Sequence, residues 1–356
     1  MSPTGSSSPF PQTYESCVDI KGKLREMIKN DTTDLAVVGI SILTSVVEHS
    51  KSSTIMEMAN ELDRATEELL NAARNDLKDF PLFFHSSIPL RSACELYRRF
   101  VTRRLTEEIT DFKACRKRLT ERGNEIQLVS AQAKERITEL FRPFFSRDNM
   151  KIMIVGGYSE TVISVLTGSA TYMHQSAYRF KSVLIPEGRP DGSGYRLAEA
   201  LSSFDIPVTI ITDASIAYHM SSHDLDFVIT GAEGVVESGG IINKIGTYQA
   251  AILANEHKKP FYVAAERFRF ARQYPVNQKD ILELEEKGSI YYINKPEFKM
   301  IPALGFDDSS VLESDSIQIS NPTSDFTPPK YITMLFTDFG IMTPSGVSDE
   351  LIKLYS

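Results

Sequence analysis

After residue 149, short β-branched runs alternate with segments of helical periodicity, and this alternation constrains the fold more than any other feature. The runs are 151–155, 182–185, 207–211, 227–229, 260–263 and 331–336. Such a pattern is typical of parallel strands joined by crossover helices. It predicts a Rossmann-like, doubly wound parallel sheet in a C-terminal domain, 148–356. The acidic and proline-rich stretch 280–329 is interpreted as an insertion that returns as an ordered loop to the last strand.

The first half of the chain has a helical pattern, with apolar residues at three- and four-residue steps and hardly a glycine. It predicts an all-α helical bundle as an N-terminal domain, 13–147, so the whole chain is of the α/β class. Thr54 and Glu57 have the spacing of a capping box, which predicts that a helix begins there. Residues 1–12 are rich in Ser and Pro and are predicted to be a disordered tail.

Composition and charge exclude several classes of protein. The chain has 356 residues, 42% of them hydrophobic and 24% charged, which is ordinary for a globular protein of two domains. A net charge of −8 argues against nucleic-acid binding as its main activity. Cys17, Cys94 and Cys115 are widely spaced, which indicates free thiols. With neither a secretory signal nor a membrane span in the sequence, the expected location is the cytosol.

The loops that follow the predicted strands carry the candidate site, because ligands of doubly wound sheets bind at the carboxyl ends of the strands. The glycine-rich segment 230–249 is predicted to be a strand-to-helix loop, with a plain glycine turn as the alternative. We expect these loops to form a phosphate-sized pocket for a sugar phosphate or a nucleoside monophosphate. The candidate ligand-binding residues are Gly157, Tyr158, Ser159, Arg189, Glu233, Asn243 and Lys244.

Simpler interpretations remain open for two further features. Asp213 or Thr212 is expected to act as a helix N-cap. The helix at 89–105 carries Arg91, Arg98, Arg99, Arg103 and Arg104. Its basic face suits a phosphorylated or acidic partner, but a solvated face paired with Glu95, Glu107 and Glu108 is the favoured interpretation.

Motifs for catalysis are sparse. The loop after the first strand is neither GxGxxG nor a Walker sequence, and no metal-ligand spacing occurs, so no cofactor or metal is expected. Aldose–ketose isomerisation needs two groups that move protons between neighbouring atoms. Glu233 is the acid best placed for that task, and none of these loops carries a cysteine or histidine.

Four segments together resemble the alpha, beta and delta family of eukaryotic translation initiation factor 2B, and in particular its alpha subunits. They are GAEGVVESGGIINKIGTYQ at 231–249, EGRPDGSGYRLAEAL at 187–201, NPTSDFTPPKYIT at 321–333 and TPSGVSDELIKLYS at 343–356. The resemblance implies a non-catalytic regulatory subunit of the guanine-nucleotide exchange complex for initiation factor 2. It also implies a homodimer formed through the Rossmann-like domains that joins the beta, gamma, delta and epsilon subunits.

The same resemblance implies a role in the integrated stress response. The helical domain would sense initiation factor 2 phosphorylated on its alpha subunit and thereby lower translation initiation.

The loops are similar, more distantly, to isomerases of methylthioribose 1-phosphate and ribose 1,5-bisphosphate. Those enzymes carry a catalytic cysteine in the first loop, where this chain has Gly157, and a catalytic aspartate where it has Glu233. The two departures argue against catalysis, because a carboxylate one methylene longer reaches a different point. A sugar-phosphate aldose–ketose isomerase of either type is the alternative function.

Overall fold

The structure is a computed structural model. It describes residues 18–29, 34–76, 88–107, 112–145, 148–173, 180–189, 191–222, 224–284 and 322–355. The predicted disordered tail and the greater part of the predicted insertion lie outside these ranges. None of the helices within them is long and apolar enough to cross a membrane.

The first half of the chain is helical, as predicted. Its described helices are α1 (Ile20–Lys29), α2 (Leu35–His49), α3 (Ile55–Asp76), α4 (Ile88–Glu107), α5 (Phe112–Asn124) and α6 (Ile126–Phe141). Helix α2 is apolar nearly all round and is therefore buried against its neighbours. The capping box is confirmed, since the Glu57 N–H donates to Thr54 Oγ1 and the Thr54 N–H donates to Glu57 Oε2, both at 3.2 Å.

Eleven strands occur in the described part of the second half. They are β1 (Met150–Val155), β2 (Phe180–Pro186), β3 (Val208–Ile211), β4 (Leu225–Thr230), β5 (Gly234–Val236), β6 (Ile241–Lys244), β7 (Phe261–Ala264), β8 (Phe270–Ala271), β9 (Ser324–Thr327), β10 (Met334–Thr337) and β11 (Gly340–Met342). The helices among them are α7 (Glu160–Met173), α8 (Ser193–Ser202), α9 (Ile216–Met220), α10 (Thr247–Glu256), α11 (Gln278–Leu284) and α12 (Val347–Tyr355).

Seven strands form one large sheet in the order β11-β10-β7-β4-β1-β2-β3. All neighbours in it are parallel except β10 and β11. The predicted doubly wound sheet is therefore confirmed, and each predicted run contains or overlaps a strand of it. The strand order reverses between β1 and β4, which is where such sheets leave a crevice for ligands.

A second sheet, in the order β8-β5-β6-β9, was not predicted. The glycine-rich segment is not the expected loop, because β5 and β6 form an antiparallel hairpin within it. The hairpin turns at Gly239, whose φ of +84° favours glycine. The segment that was interpreted as a returning loop contains β9, which pairs antiparallel with β6. A pairing between segments so distant in sequence leaves no local pattern.

The apolar cores connect the two halves of the chain. Separate clusters of buried side chains cover the two faces of the large sheet. Phe141, from the last helix of the helical half, packs against Phe336 and Phe227 with ring centroids 4.3 and 5.6 Å apart. In the other direction, Phe268 extends from the sheet half into the core of the helical half. The two halves therefore form a continuous packed body.

Candidate functional site

A cavity lies beside the point where the strand order reverses, with about 670 Å³ of empty space including its open mouth. Five of the predicted ligand-binding residues line it. They are Tyr158, Ser159, Glu233, Asn243 and Lys244. Each reaches the cavity from a loop or strand at the carboxyl edge of the large sheet, as doubly wound topology dictates.

Lys244 is the cation on the sheet side of the cavity, and it is held by a carboxylate. Its Nζ donates to Asp191 Oδ2 at 2.8 Å, and the two side chains are only 11% and 15% exposed. Burial alone would raise the pKa of Asp191, but the charge and hydrogen bond of Lys244, helped by the Ser193 N–H, lower it. A ligand anion at Lys244 therefore has to share that ammonium with Asp191.

Asn243 is fully buried and supports the loops around the cavity. Its Nδ2 donates to Thr230 Oγ1 at 2.9 Å and to the Gly231 carbonyl at 3.2 Å. Any side chain at Gly156, where φ is +81°, would collide with that amide group. Glycine is therefore required at position 156, beside Asn243. The side-chain amide nitrogen of Asn243 already donates to protein acceptors.

Glu233 is a buried carboxylate, 8% exposed, which accepts a hydrogen bond from Ser324 Oγ at 3.3 Å. Near it, Asp325 accepts hydrogen bonds from the N–H groups of Gly246 and Tyr248, at 2.7 and 3.0 Å, and so caps the start of α10. Burial raises the pKa of Asp325 to about 7, and the negative charge of Glu233 acts in the same direction.

The amino end of α7 faces the cavity. Ser159 Oγ accepts a hydrogen bond from the Val162 N–H at 3.4 Å, and the guanidinium of Arg196 lies 4.2 Å from the centre of the Tyr158 ring. The first-turn N–H groups of a helix and its dipole favour negative charge. The backbone at this end therefore favours an anionic group, and the Glu160 carboxylate of the same turn, which is paired with Lys134, also lines the cavity.

Two predicted residues do not line the cavity. Gly157 has φ +74°, and a side chain there would collide with the Ser193 hydroxyl. The Arg189 guanidinium lies 3.2 Å from Glu187 Oε2 and is not part of the cavity lining.

The N-cap interpretation of Asp213 is wrong. Its carboxylate accepts hydrogen bonds from the N–H groups of Gly188 and Arg189, at 3.0 and 2.8 Å. Thr212 makes no side-chain cap hydrogen bond either. Asp213 instead fixes the loop that follows β2.

The far wall of the cavity comes from residues that the sequence did not indicate. Asp34, at the start of α2, accepts a hydrogen bond from Arg269 Nη2 at 2.9 Å. Thr161 Oγ1 donates to Glu266 Oε1 at 2.6 Å, and burial raises the pKa of Glu266. Asp34 and Arg269 are 235 positions apart, so only the tertiary fold brings them together.

The basic helix α4 has ordinary surface ion pairs. Arg99 Nε lies 3.9 Å from Glu95 Oε1, as the favoured interpretation expects, and Arg98 pairs with Asp63 of α3. Cys94, on the same helix, is fully buried, and burial raises its pKa to about 12. Glu108 and Cys17 lie outside the described residues.

The known proteins to which this chain is similar include translation factors and isomerases. The profile of the initiation factor 2 subunit family matches residues 30–344. The chain is 41% identical to the translation initiation factor eIF2B subunit alpha of Dictyostelium discoideum, over 94% of this chain and 96% of that protein. It is 28% identical to the methylthioribose-1-phosphate isomerase of Trichoplax adhaerens, over 96% and 91% of the two chains.

Among solved structures, the chain is similar to one from C. thermophilum, the tetrameric eIF2B-beta2-delta2 complex. The TM-score is 0.64 at 18% identity, and the match covers 94% of each chain. At that identity the likeness shows the shared fold, a helical half followed by a mostly parallel sheet.

Proposed function

The chain belongs to the initiation factor 2 subunit family, and we propose that it is a regulatory subunit of translation initiation factor eIF2B, in the role of the alpha subunit. The observation that carries the proposal is the 41% identity to the Dictyostelium discoideum alpha subunit over nearly the full length of both chains. In this role the chain assembles with the beta, gamma, delta and epsilon subunits of the exchange factor.

Within that complex the chain has a regulatory role. It acts in the cytosol, and two copies of it form a homodimer through their sheet halves. Its helical half contributes to the recognition of initiation factor 2 phosphorylated on its alpha subunit, which reduces guanine-nucleotide exchange in the integrated stress response. The four motifs that resemble the alpha subunits, which include the C-terminal segment 343–356, support this role.

The chain has no catalytic role of its own. Gly157 offers no nucleophile, and the collision with Ser193 leaves no room for a side chain in its present conformation. The thiol of Cys94 lies in the helical core, and its raised pKa keeps it protonated. Glu233 shares the cavity with Asp34, Glu160 and Glu266, but these are held by Arg269, Lys134 and Thr161. None of them is therefore offered as the second member of the positioned pair of proton-transfer groups that the reaction needs.

The cavity serves as a binding site for a sugar phosphate or a nucleoside monophosphate. The amino end of α7, Lys244 and Arg269 supply hydrogen-bond donors and positive charge for a phosphate, beside the carboxylates of Asp34, Glu160, Glu233 and Glu266 in the same lining. The buried carboxylate of Glu233 can accept hydrogen bonds from ligand hydroxyl groups. A ligand with both a phosphate and hydroxyls matches this combination better than inorganic phosphate does.

Assembly tests the subunit role. The purified beta, gamma, delta and epsilon subunits are combined with and without this chain, and nucleotide release from initiation factor 2 is measured with the phosphorylated and unphosphorylated factor. We expect the complex with this chain to be inhibited by the phosphorylated factor and the complex without it to be far less sensitive. Equal sensitivity of both complexes would refute the regulatory role.

An enzyme assay tests the alternative function. The purified chain is incubated with ribose 1,5-bisphosphate and with methylthioribose 1-phosphate, beside a Glu233→Ala variant. We expect no turnover by either protein. Turnover by the wild type that is lost in the variant would show an active isomerase.

Native mass measurement tests the homodimer. We expect a mass of two chains for the isolated protein and a larger complex after the other subunits are added. A stable monomer that nevertheless enters the complex would contradict the proposed dimer.

A further inference from the structure

The far wall of the cavity is also the boundary between the two halves of the chain. Asp34 and Leu35 of α2 and Pro89 of α4 line the same cavity as Glu266 and Arg269 from the segment after β7. A molecule in the cavity therefore contacts both halves at once.

Asp34 connects the two halves through its two carboxylate oxygens. Oδ1 accepts from the Ala36 N–H at 2.9 Å and caps α2, while Oδ2 accepts from Arg269 Nη2 at 2.9 Å. The side chain is only 7% exposed, so water screens the pair little. The position of Arg269 and the start of α2 are thereby linked.

The segment that carries Arg269 is anchored in the helical half. Phe268, its neighbour in the chain, lies in the core of the helices. A second ion pair crosses the same boundary, between Lys134 of α6 and Glu160 at the start of α7. The wall is therefore a set of contacts between the halves and not a loop of one half alone.

Arg269 lies between two buried carboxylates, those of Asp34 and Glu266, and lines the cavity. Its Nε is buried and has no hydrogen-bond acceptor among the residues that the structure describes, since Glu266 Oε2 lies 3.7 Å away. A buried donor without a partner is costly, and a guanidinium can bind several acceptors in one plane. Nε itself has almost no exposed surface, so a ligand oxygen in the cavity has to reach another part of the Arg269 side chain, which lines the cavity beside Asp34 and Glu266.

We propose that Arg269 couples occupancy of the cavity to the helical half of the chain. A ligand that brings phosphate or hydroxyl oxygens to Arg269 holds this guanidinium in place, and Arg269 in turn holds Asp34 and the start of α2. Binding and the locking of the two halves favour each other, and such coupling is reciprocal. The inference rests on the proposed role of the cavity as a sugar-phosphate or nucleotide site.

The test uses the full chain, with ribose 1,5-bisphosphate and adenosine monophosphate as probes. Calorimetry gives the affinities, and hydrogen exchange of the α2 amides reports on the helical half. In Asp34→Asn, the amide oxygen can still cap α2, but the charge that holds Arg269 is lost. The matched control is Asp63→Asn, which removes an ion pair with Arg98 inside the helical half.

We expect at least one probe to bind the wild type and to slow amide exchange in α2. Asp34→Asn should weaken that binding at least about fivefold, the lower end of typical coupling between sites. It should also abolish the effect on α2, while Asp63→Asn behaves as the wild type. Arg269→Lys keeps a positive charge beside Asp34 but loses the planar donors, so it should weaken binding as well.

Three results would overturn the inference. If both Asp34→Asn and Arg269→Lys have native circular dichroism and bind the probes with wild-type affinity, then Asp34 and Arg269 do not couple ligand binding to the helical half. An equal loss in Asp63→Asn would show a general effect of the helical half. If neither probe binds the wild type, the coupling and the ligand proposal both fail, but the subunit role stands if the complex still assembles and responds to the phosphorylated factor.

Discussion

The two sheets of this protein differ in what they bury. The large sheet is covered on both faces by apolar side chains, and its strands contain few buried polar residues, such as Thr230 and Thr337. The small sheet is just as buried but holds Asn243, Lys244 and Asp325 in its strands. Buried polar groups need partners. The large sheet therefore contributes most to the stability of the fold. The small sheet holds polar groups at the cavity, and burying them costs part of that stability.

The strongest way to test this comparison is to damage the large sheet. Phe141→Ala removes a fully buried ring that packs against Phe227, Tyr262 and Phe336. We expect unfolding free energy to fall by about 3–5 kcal/mol, as for other buried aromatic residues. Urea unfolding measures it, and a loss below about 1 kcal/mol would show that this face is not the main source of stability.

The second test concerns the buried charge of the small sheet. The pKa of Asp325 is raised to about 7 from the model-compound value of 3.8. The folded state therefore binds more protons than the unfolded state between these values, and stability falls as pH rises from about 4 to 7. The fall amounts to as much as roughly 4 kcal/mol, at about 1.4 kcal/mol for each pKa unit.

Asp325→Asn isolates this contribution, because the variant keeps an acceptor for the start of α10 but cannot titrate. Unfolding free energy is measured from pH 4 to 8 in both proteins, and the comparison reports on Asp325 together with its electrostatic coupling to Glu233. We expect the wild type to lose more stability than the variant over this range. Parallel curves would show that Asp325 does not contribute the expected pH dependence.

The third test removes one partner of the ion pair at the cavity. Asp191→Asn leaves the buried Lys244 ammonium without its carboxylate, and we expect a loss of roughly 2–4 kcal/mol. The double variant Asp191→Leu with Lys244→Met should be more stable than the single one, since neither charge of this pair is then buried without its partner. Thermal and urea unfolding check both, and a double variant less stable than the single one would contradict this explanation.

The smallest effect is expected at the edge of the large sheet. Ile210 lies on the edge strand β3 and is 42% exposed. Ile210→Thr should change the unfolding free energy by no more than about 0.5 kcal/mol. Urea unfolding of this variant and of Phe141→Ala then shows whether the loss of unfolding free energy depends on how deeply a side chain is buried or only on its contact with the large sheet. A loss comparable to that of Phe141→Ala would favour contact with the sheet.

The two sheets also differ in how far the sequence could predict them. Runs such as 151–155 and 260–263 reveal buried parallel strands, because apolar β-branched or aromatic residues cluster in each run. The strands β5 and β6 lie within a glycine-rich segment, and β9 pairs only through a distant partner. These three strands are short and contain polar residues, so they lack the alternating apolar pattern of a strand, and the sequence does not predict the second sheet.

The residues of the candidate site also differ in how far the sequence could predict them. Glu233, Asn243 and Lys244 belong to one glycine-rich motif, which made them recognisable, and all three line the cavity. Asp191 lies in the motif at 187–201, but its pairing with Lys244 of β6 follows only from the tertiary fold. Asp34 and Arg269 carry no local signal at all, because neither segment resembles a binding loop.

The position of Phe268 in the helical core has a consequence for the order of synthesis. The other buried members of that core end at Leu119, so the last of them leaves the ribosome roughly 150 residues before Phe268. At usual rates of elongation this interval lasts on the order of 10–30 seconds. During that time the nascent helical half lacks one of its core aromatic side chains, and its final packing has to wait for the sheet half to emerge.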